Sequence, residues 1–196
     1  MSTESVDVVE APRFNGKLYT VEEFEELSDI GGYELIDGLV VEKCGGNESS
    51  SVTMNLTFLL QAFVRQHDLG RLHDSEGGYV LVGRTGKTRI RKPDLSFVRK
   101  GRYPDDKSPK GYAKFAPDFA FESVSPTDCA DDLQEKIEDY LRAAVPLVWI
   151  AFPTPRIVLE YRADGSVRRA TVADTLSADG ALAGFTCPVA ELFTGL

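Results

Sequence analysis

Cysteine is scarce in this chain, and its spacing supports no covalent or metal-thiolate framework. The 196 residues include three cysteines, Cys44, Cys129 and Cys187, and none belongs to a CxxC pair. This pattern excludes a zinc knuckle or a disulfide scaffold as the basis of the fold. We expect these cysteines to be small core residues of a protein kept in a reducing cytoplasm.

Long hydrophobic runs, targeting signals and phosphate loops are also missing. No apolar stretch approaches the length that spans a bilayer, and the first residues lack a secretory pattern. No Gly-rich loop of the P-loop or dinucleotide type is present. The two histidines, His67 and His73, are predicted at a helix end and in the loop after it, where surface or capping roles are typical. The sequence therefore favours a cytoplasmic protein that does not depend on histidine chemistry.

Basic residues are outnumbered by acidic ones. The chain has 22 Lys and Arg against 31 Asp and Glu, a net charge of −9. Nonspecific nucleic-acid binding depends on basic surface, so an acidic chain must gather its positive charge in one place. Residues 84–92 contain such a concentration. A solvated hairpin face explains this run, and contact with nucleic-acid phosphates is the alternative.

The composition is that of a globular protein with a substantial core. Hydrophobic residues make up 42% of the chain and charged residues 27%, which argues against disorder. The length suits one domain. We predict a loose polar tail over residues 1–13 and a single domain over residues 14–196. Its fold class is α/β, with a mixed central sheet of about five strands flanked by helices.

Local signals predict the order of the helices and strands. Thr20 and Glu23 form a capping box, and three serines at 49–51 can cap a later helix with apolar residues at helical spacing. The predicted helices cover residues 20–28, 50–67 and about 127–144. A loop is predicted over residues 101–116. The predicted strands are a hairpin over 33–41 around Asp37-Gly38, single strands at 79–82, 95–98, 119–124 and 145–150, and a hairpin of 157–161 with 167–172.

Glu122 and Asp94 are the first candidates for chemistry. Glu122 lies in the segment FAFESV, which is apolar on both faces, and a glutamate there is costly unless it is paired or bound to a cation. Asp94 follows Pro93 at the start of the preceding strand, where Asp is also common as a turn residue. Adjacent strands could bring the two carboxylates together, and two such ligands with room for water suit Mg²⁺.

Lys136 and Glu34 complete the candidate set, each with an open alternative. Lys136 falls on or beside the buried stripe of its predicted helix. Its ammonium could point at the two carboxylates, or it could extend to solvent or pair with Asp132. Glu34 lies on a half-buried strand and could equally be a surface residue.

Five short segments follow one another in a specific order and spacing. They are YELIDG at residues 33–38, PDLS at 93–96, PDFAFESVSP at 117–126, Lys136 with Tyr140, and Val145 with Trp149. Together they resemble the Uma-two-type restriction endonuclease family, stand-alone bacterial members of the PD-(D/E)XK nuclease superfamily. The resemblance extends from about residue 19 to the C-terminus.

The resemblance implies a restriction-endonuclease-like core and a role for each candidate. Asp94 and Glu122 become ligands of Mg²⁺ or Mn²⁺, Glu34 an auxiliary acid near the metal, and Lys136 the catalytic lysine. The superfamily's usual lysine position, two residues after the acid, is held here by Val124. Three further positions depart from the family pattern. The serines near Ser49 stand where the family commonly has a histidine at the start of the second helix. Ser123 follows Glu122 where the family more often has valine, and Phe152-Pro153 replaces Asp-Pro after the strand that contains the Trp.

The implied function is metal-dependent hydrolysis of phosphodiester bonds in nucleic acid, with DNA as the expected substrate. Arg89 and Arg91 would contact backbone phosphates. The resemblance and an aromatic-rich C-terminus, expected to be exposed, together imply a homodimer.

Three alternatives stay open at the level of the sequence. The chain could be a nuclease fold that binds nucleic acid or a protein partner without cutting, which the acidic composition favours. It could be a glycosidase-like hydrolase with paired carboxylates and no metal. The acids could also be structural, with salt bridges to Lys136 and Arg91.

Overall fold

The structure is a computed structural model that describes residues 14–27 and 29–196, and the predicted tail over residues 1–13 lies outside these ranges. Within them the chain forms four α-helices and twelve β-strands. The helices are α1 (Val21–Glu25), α2 (Asn47–Gln66), α3 (Ala130–Arg142) and α4 (Val189–Leu192). The strands are β1 (Tyr33–Ile36), β2 (Leu39–Glu42), β3 (Gly70–Asp74), β4 (Tyr79–Val82), β5 (Thr88–Arg91), β6 (Leu95–Arg99), β7 (Phe119–Ser123), β8 (Leu147–Phe152), β9 (Ile157–Arg162), β10 (Val167–Thr171), β11 (Thr175–Ser177) and β12 (Thr186–Pro188).

The larger sheet has six strands in the order β10-β9-β8-β7-β6-β3. Neighbours are antiparallel except β7 and β8, which are parallel because α3 crosses over between them. The predicted mixed sheet with flanking helices is therefore confirmed, with six strands instead of about five. β7 lies inside this sheet and is buried along its whole length, as its apolar sequence predicts.

The two faces of β7 meet different helices. Phe119 and Phe121 point into a core cluster shared with α2, while Ala120 belongs to a second cluster with Ile137 and Tyr140 of α3. Alternation along the strand places Glu122 on the same face as Ala120, toward α3. The packing of α3 against this face is what brings helix side chains to Glu122.

A smaller antiparallel sheet, in the order β2-β1-β5-β4, lies beside the candidate residues. The predicted hairpin of β1 and β2 turns at Asp37-Gly38, where both residues have positive φ (53° and 95°). Such a turn matches the right-handed twist of the strands, which explains the Asp-Gly pair. β5 is an interior strand of this sheet and was predicted only as a hairpin face.

Several local predictions need correction. The helix predicted at 50–67 begins at Asn47, so the serines lie inside it, and Ser49 Oγ accepts a hydrogen bond from the Gly46 amide. The helix predicted at 20–28 ends at Glu25, although its capping box at Thr20 is present. His73 lies in strand β3 and not in a loop. Cys44 and Cys129 are exposed, and of the three cysteines only Cys187 is buried.

The C-terminal segment is packed and not exposed. Phe185 and Phe193 are 4% and 3% exposed and belong to the core cluster beneath α2. The Asn55 side chain of α2 donates hydrogen bonds to the carbonyls of Leu192 and Thr194. The aromatic side chains of the C-terminus therefore belong to the core, whereas the sequence analysis expected them to be exposed.

Membrane-spanning helices are not found in the described ranges, where no helix has both the length and the apolar character to cross a bilayer.

Candidate active site

One pocket brings together the four predicted catalytic residues. It has a volume of about 80 Å³, and Glu34 of β1, Asp94, Glu122 of β7 and Lys136 of α3 are among the residues that line it. The pocket lies where the smaller sheet meets β7 and the inward face of α3. Residues that are up to 102 positions apart therefore share one site.

Strand register places Asp94 opposite Glu122. Leu95 pairs with Phe121 in the antiparallel β6–β7 ladder, so the next position outward pairs Asp94 with Glu122. Asp94 Oδ2 accepts a hydrogen bond from the Ser123 amide at 3.0 Å. This bond fixes the carboxylate of Asp94 at the C-terminal end of β7, the strand that carries Glu122.

Glu122 is held at one carboxylate oxygen. Its Oε1 accepts a hydrogen bond from the Tyr140 hydroxyl at 2.6 Å and lies 3.6 Å from the Lys136 ammonium. Lys136 and Tyr140 are four residues apart on α3, so both side chains reach the same point. Oε2 has no hydrogen-bond partner among the described residues, which leaves it open to a further ligand.

The ammonium of Lys136 bridges two acids. It lies 3.6 Å from Glu34 Oε1 and 3.6 Å from Glu122 Oε1. Burial would lower the pKa of this lysine, but Glu122 and Glu34 raise it above its usual range. The sequence left three orientations open: toward Asp94 and Glu122, to solvent, or to Asp132. In the structure the ammonium is directed at Glu122, and its second acid is Glu34.

Glu34 is enclosed by donors. Its Oε1 accepts a hydrogen bond from the Lys92 amide at 2.7 Å, and its Oε2 accepts one from Arg91 at 3.0 Å. Burial acts to raise the pKa of Glu34, but Lys136 and Arg91 outweigh it and lower the pKa to about 2. Glu34 is therefore a permanent anion that anchors Lys136.

Glu122 behaves in the opposite way, although it lies in the same pocket. Burial raises the pKa of Glu122 to about 7; Lys136 opposes this shift, and the nearby Asp94 carboxylate adds to it. Like charges that share a buried site cannot easily ionise together, whereas a nearby cation favours ionisation. The site therefore pairs one fixed anion with a carboxylate that changes its charge near neutral pH.

Arg89 and Arg91, predicted to contact backbone phosphates, are buried in the structure. Arg89 is 1% exposed and binds Asp37 and Asp139, and Arg91 is 4% exposed and binds Asp139 and Glu34. The reason is that β5 is interior and its arginines face acids of α3 and of the β1–β2 turn. A buried guanidinium engaged in this way does not reach a backbone phosphate, and Arg91 instead supports Glu34.

Lys43 is a site residue that the sequence did not reveal. Its ammonium lies 3.2 Å from Asp94 Oδ1 and donates to the Lys92 carbonyl at 2.6 Å. The side chain is 8% exposed. Lys43 follows β2 and is 51 residues from Asp94, so no local pattern connects the two. Only the pairing of β2 with β1, which lines the pocket, could have suggested it.

The donor set partly fits a divalent cation. Within the described ranges, no group of three or more His, Cys, Asp or Glu side chains is arranged to hold a metal ion. Asp94 and Glu122 nevertheless supply two hard oxygen donors in one pocket, and Mg²⁺ is commonly held by one or two carboxylates with water completing its shell. Both oxygens of Glu34 are engaged by Lys92, Lys136 and Arg91, so Glu34 fits a role through water better than direct ligation.

Comparisons with known proteins identify the family and the fold of the chain. The family described as "Uma2: Putative restriction endonuclease" matches residues 21–190. A solved structure from Anabaena variabilis, titled a putative nuclease belonging to DUF820, superposes with a TM-score of 0.76 at 18% identity, covering 90% of this chain and 98% of that one. No curated protein matches the chain. At this identity the solved structure establishes the fold, and the family match over most of the sequence establishes membership: the chain belongs to the Uma2 family of putative restriction endonucleases.

Proposed function

We propose that this protein is a metal-dependent nuclease that hydrolyses phosphodiester bonds, with DNA as its substrate. The observation that carries the proposal is that Asp94 and Glu122 line one pocket at the end of β7, with the Lys136 ammonium 3.6 Å from Glu122. Family membership supports the class of reaction. We further propose that residues 14–196 form a single domain that acts as a homodimer in the cytoplasm.

Asp94 and Glu122 would hold the cation, Mg²⁺ or Mn²⁺. When bound, such an ion polarises a phosphate oxygen and lowers the pKa of bound water. Glu122 must be ionised to bind it, and a pKa of about 7 means that the proton and the metal compete for this carboxylate. We therefore expect metal affinity to rise with pH across the neutral range.

Lys136 would provide fixed positive charge where a phosphoryl group accumulates negative charge. Preorganised charge in a water-poor pocket acts more strongly than the same charge in water. Glu34 holds the ammonium at one side, and its own position is fixed by Arg91 and the Lys92 amide. In this proposal Glu34 is a positioning residue and Lys136 the catalytic cation.

A second candidate is a nuclease fold that binds without cutting. The observation in its favour is that each acid of the pair already has a lysine beside it, Lys43 at Asp94 and Lys136 at Glu122. Such ion pairs could replace a metal altogether. The net charge of −9 also weakens nonspecific attraction to DNA.

Calorimetric titration of Mn²⁺ and Mg²⁺ into the purified protein tests the metal site. We expect saturable binding that Asp94→Asn and Glu122→Gln each abolish. Asp132→Asn is the matched control, because Asp132 lines the same pocket and lies outside the proposed ligand pair. Absence of binding to the native protein would favour the second candidate.

Cleavage is tested separately with supercoiled plasmid DNA, with and without the cation. We expect nicking that requires the metal and is lost in Lys136→Met. Metal binding without any nicking in the native protein would point to a site kept for DNA binding.

A further inference from the structure

Helix α2 presents an outward face that the fold leaves uncovered. Phe58 is 76% exposed and Met54 62% exposed, one turn apart on the same side of the helix. Ala62 continues the row one turn further on and is also exposed. We call these three residues the α2 stripe. Single exposed apolar residues are common, but an ordered row on one helix indicates a contact surface.

The α2 stripe is not required to hold the helix in place. Its opposite side already buries Val52, Leu56, Leu60 and Val64 in the core cluster, each at most 1% exposed. Asn55 ties a flank of the helix to the C-terminal carbonyls. The fold therefore secures α2 without the stripe, and the exposure of Phe58 needs another explanation.

The charge pattern of α2 is equally unusual. Residues 49–64 contain no charged side chain, in a chain where 27% of residues are charged. The only charges on the helix are Glu48 in its first turn and Arg65 in its last turn. The two residues are seventeen positions apart, about 25 Å along the helix axis. The outward face is thus an uncharged strip with one acid at one end and one base at the other.

We propose that the α2 stripe is the contact surface for a second copy of this chain, with the two α2 helices antiparallel. In that arrangement Glu48 of each copy meets Arg65 of the other. The twofold axis then passes between residues 56 and 57, about 2 Å along the helix from Phe58, so the two Phe58 rings lie on either side of the centre. A twofold contact requires such a self-complementary surface.

The same features disfavour other occupants. A nucleic-acid strand is attracted by clustered basic groups, and this face carries a single base, balanced by an acid. An anionic membrane surface also selects helices rich in Lys and Arg on the polar face. Self-pairing is the arrangement in which both terminal charges of α2 find partners. This inference does not depend on the proposed nuclease chemistry.

Sedimentation velocity over a range of protein concentrations tests the stripe. We expect the native chain, of 21.5 kDa, to sediment at twice that mass. Phe58→Glu should shift the protein to a monomer, because it buries two like charges close to the axis. Val82→Glu is the matched control, since Val82 is 56% exposed on the smaller sheet and should leave the dimer unchanged. A native protein that is monomeric at all concentrations, or a dimer that survives Phe58→Glu, would overturn the proposal.

Charge reversal tests the antiparallel register. Glu48→Arg alone and Arg65→Glu alone should each raise the dimer dissociation constant by about tenfold, because each places like charges together. The double variant should return it close to the native value. Glu48 and Arg65 are too far apart to contact within one chain, so this rescue can arise only between chains. If the effects of the two single reversals on the dimer dissociation constant add in the double variant, this register is ruled out.

Discussion

At the scale of single residues, Glu122 is a carboxylate whose charge changes near neutral pH. Its pKa is raised from the ordinary 4.5 to about 7 in the folded protein, with burial as the main cause. The folded state thus holds this proton more tightly than the unfolded chain. Its contribution to stability is complete below about pH 4.5 and is lost as the pH rises through 7, an effect on the order of 3 kcal/mol.

Glu122→Gln should remove this pH dependence. The amide oxygen still accepts the Tyr140 hydrogen bond but does not titrate. Urea unfolding at pH 5 and pH 8, with a chelator present, should show the native protein losing stability relative to the variant as the pH rises. Glu34 does not interfere, because its lowered pKa acts only in more acidic solution. Parallel pH profiles for native protein and variant would contradict the raised pKa.

Arg91 should be far more costly to remove than a charged side chain on the surface. Arg91→Ala removes one of the two cations at each of two buried acids, leaving Glu34 with Lys136 and Asp139 with Arg89. The loss of one partner from a buried pair typically costs about 3–5 kcal/mol. Arg99→Ala is the matched control, because Arg99 is 61% exposed in its pair with Asp118 and its loss should cost less than about 1 kcal/mol. Urea unfolding measures both, and equal losses would refute the argument.

The sequence indicated part of this site because some of its features are local. A glutamate in an apolar strand and a lysine on the buried stripe of a helix are visible in short windows, and both Glu122 and Lys136 lie in the pocket. The contact of Lys43 with Asp94 is not local, and neither is the neutralisation of Arg91 by Asp139, 48 residues later. Such pairs depend on the order of the strands in the sheets, which cannot be read from short segments of one sequence.

At the scale of elements, strands with an apolar sequence were predicted, and two strands with a polar sequence, β5 and β3, were missed. β7 was predicted because it is buried on both faces and reads as a continuous apolar run. β5 has the sequence TRIR, which suggests a solvated face, yet its arginines are buried against acids. β3 has the sequence GRLHD, with few strand-forming residues, and forms an edge of the larger sheet through its pairing with β6.

Gly70 at the start of β3 should tolerate no side chain. Its φ is +153°, and a Cβ added there would lie 2.2 Å from the Val98 carbonyl oxygen of β6. Gly70→Ala should therefore force β3 away from β6 and destabilise the protein by about 2–4 kcal/mol. Gly86→Ala is the control: it also has positive φ, +77°, but open space around it, and should cost about 1–2 kcal/mol. If thermal or urea unfolding shows equal losses of stability for Gly70→Ala and Gly86→Ala, then β3 and β6 can move apart enough to accommodate the Cβ at little cost.

At the scale of the whole molecule, the distribution of charge limits how the protein can hold DNA. The net charge is −9, and Arg89 and Arg91, the expected phosphate contacts, are buried in ion pairs. Three cations among the described residues line the pocket. The ammonium groups of Lys43 and Lys136 lie beside Asp94 and Glu122, and Arg91 forms an ion pair with Glu34. Binding should therefore rest on a few contacts at the pocket and not on a broad basic surface.

A shallow salt dependence of DNA binding is the measurable consequence. With about two phosphate contacts per chain, the logarithm of the association constant should fall against the logarithm of salt with a slope of about −2. Fluorescence anisotropy of a labelled duplex over a range of salt concentrations, without divalent metal, gives this slope. Lys43→Met should make it shallower by about one, whereas Lys107→Met, on the exposed loop after β6, should not change it. A native slope steeper than about −6 would require a basic surface elsewhere on the protein, because the pocket alone has too few cations to produce it.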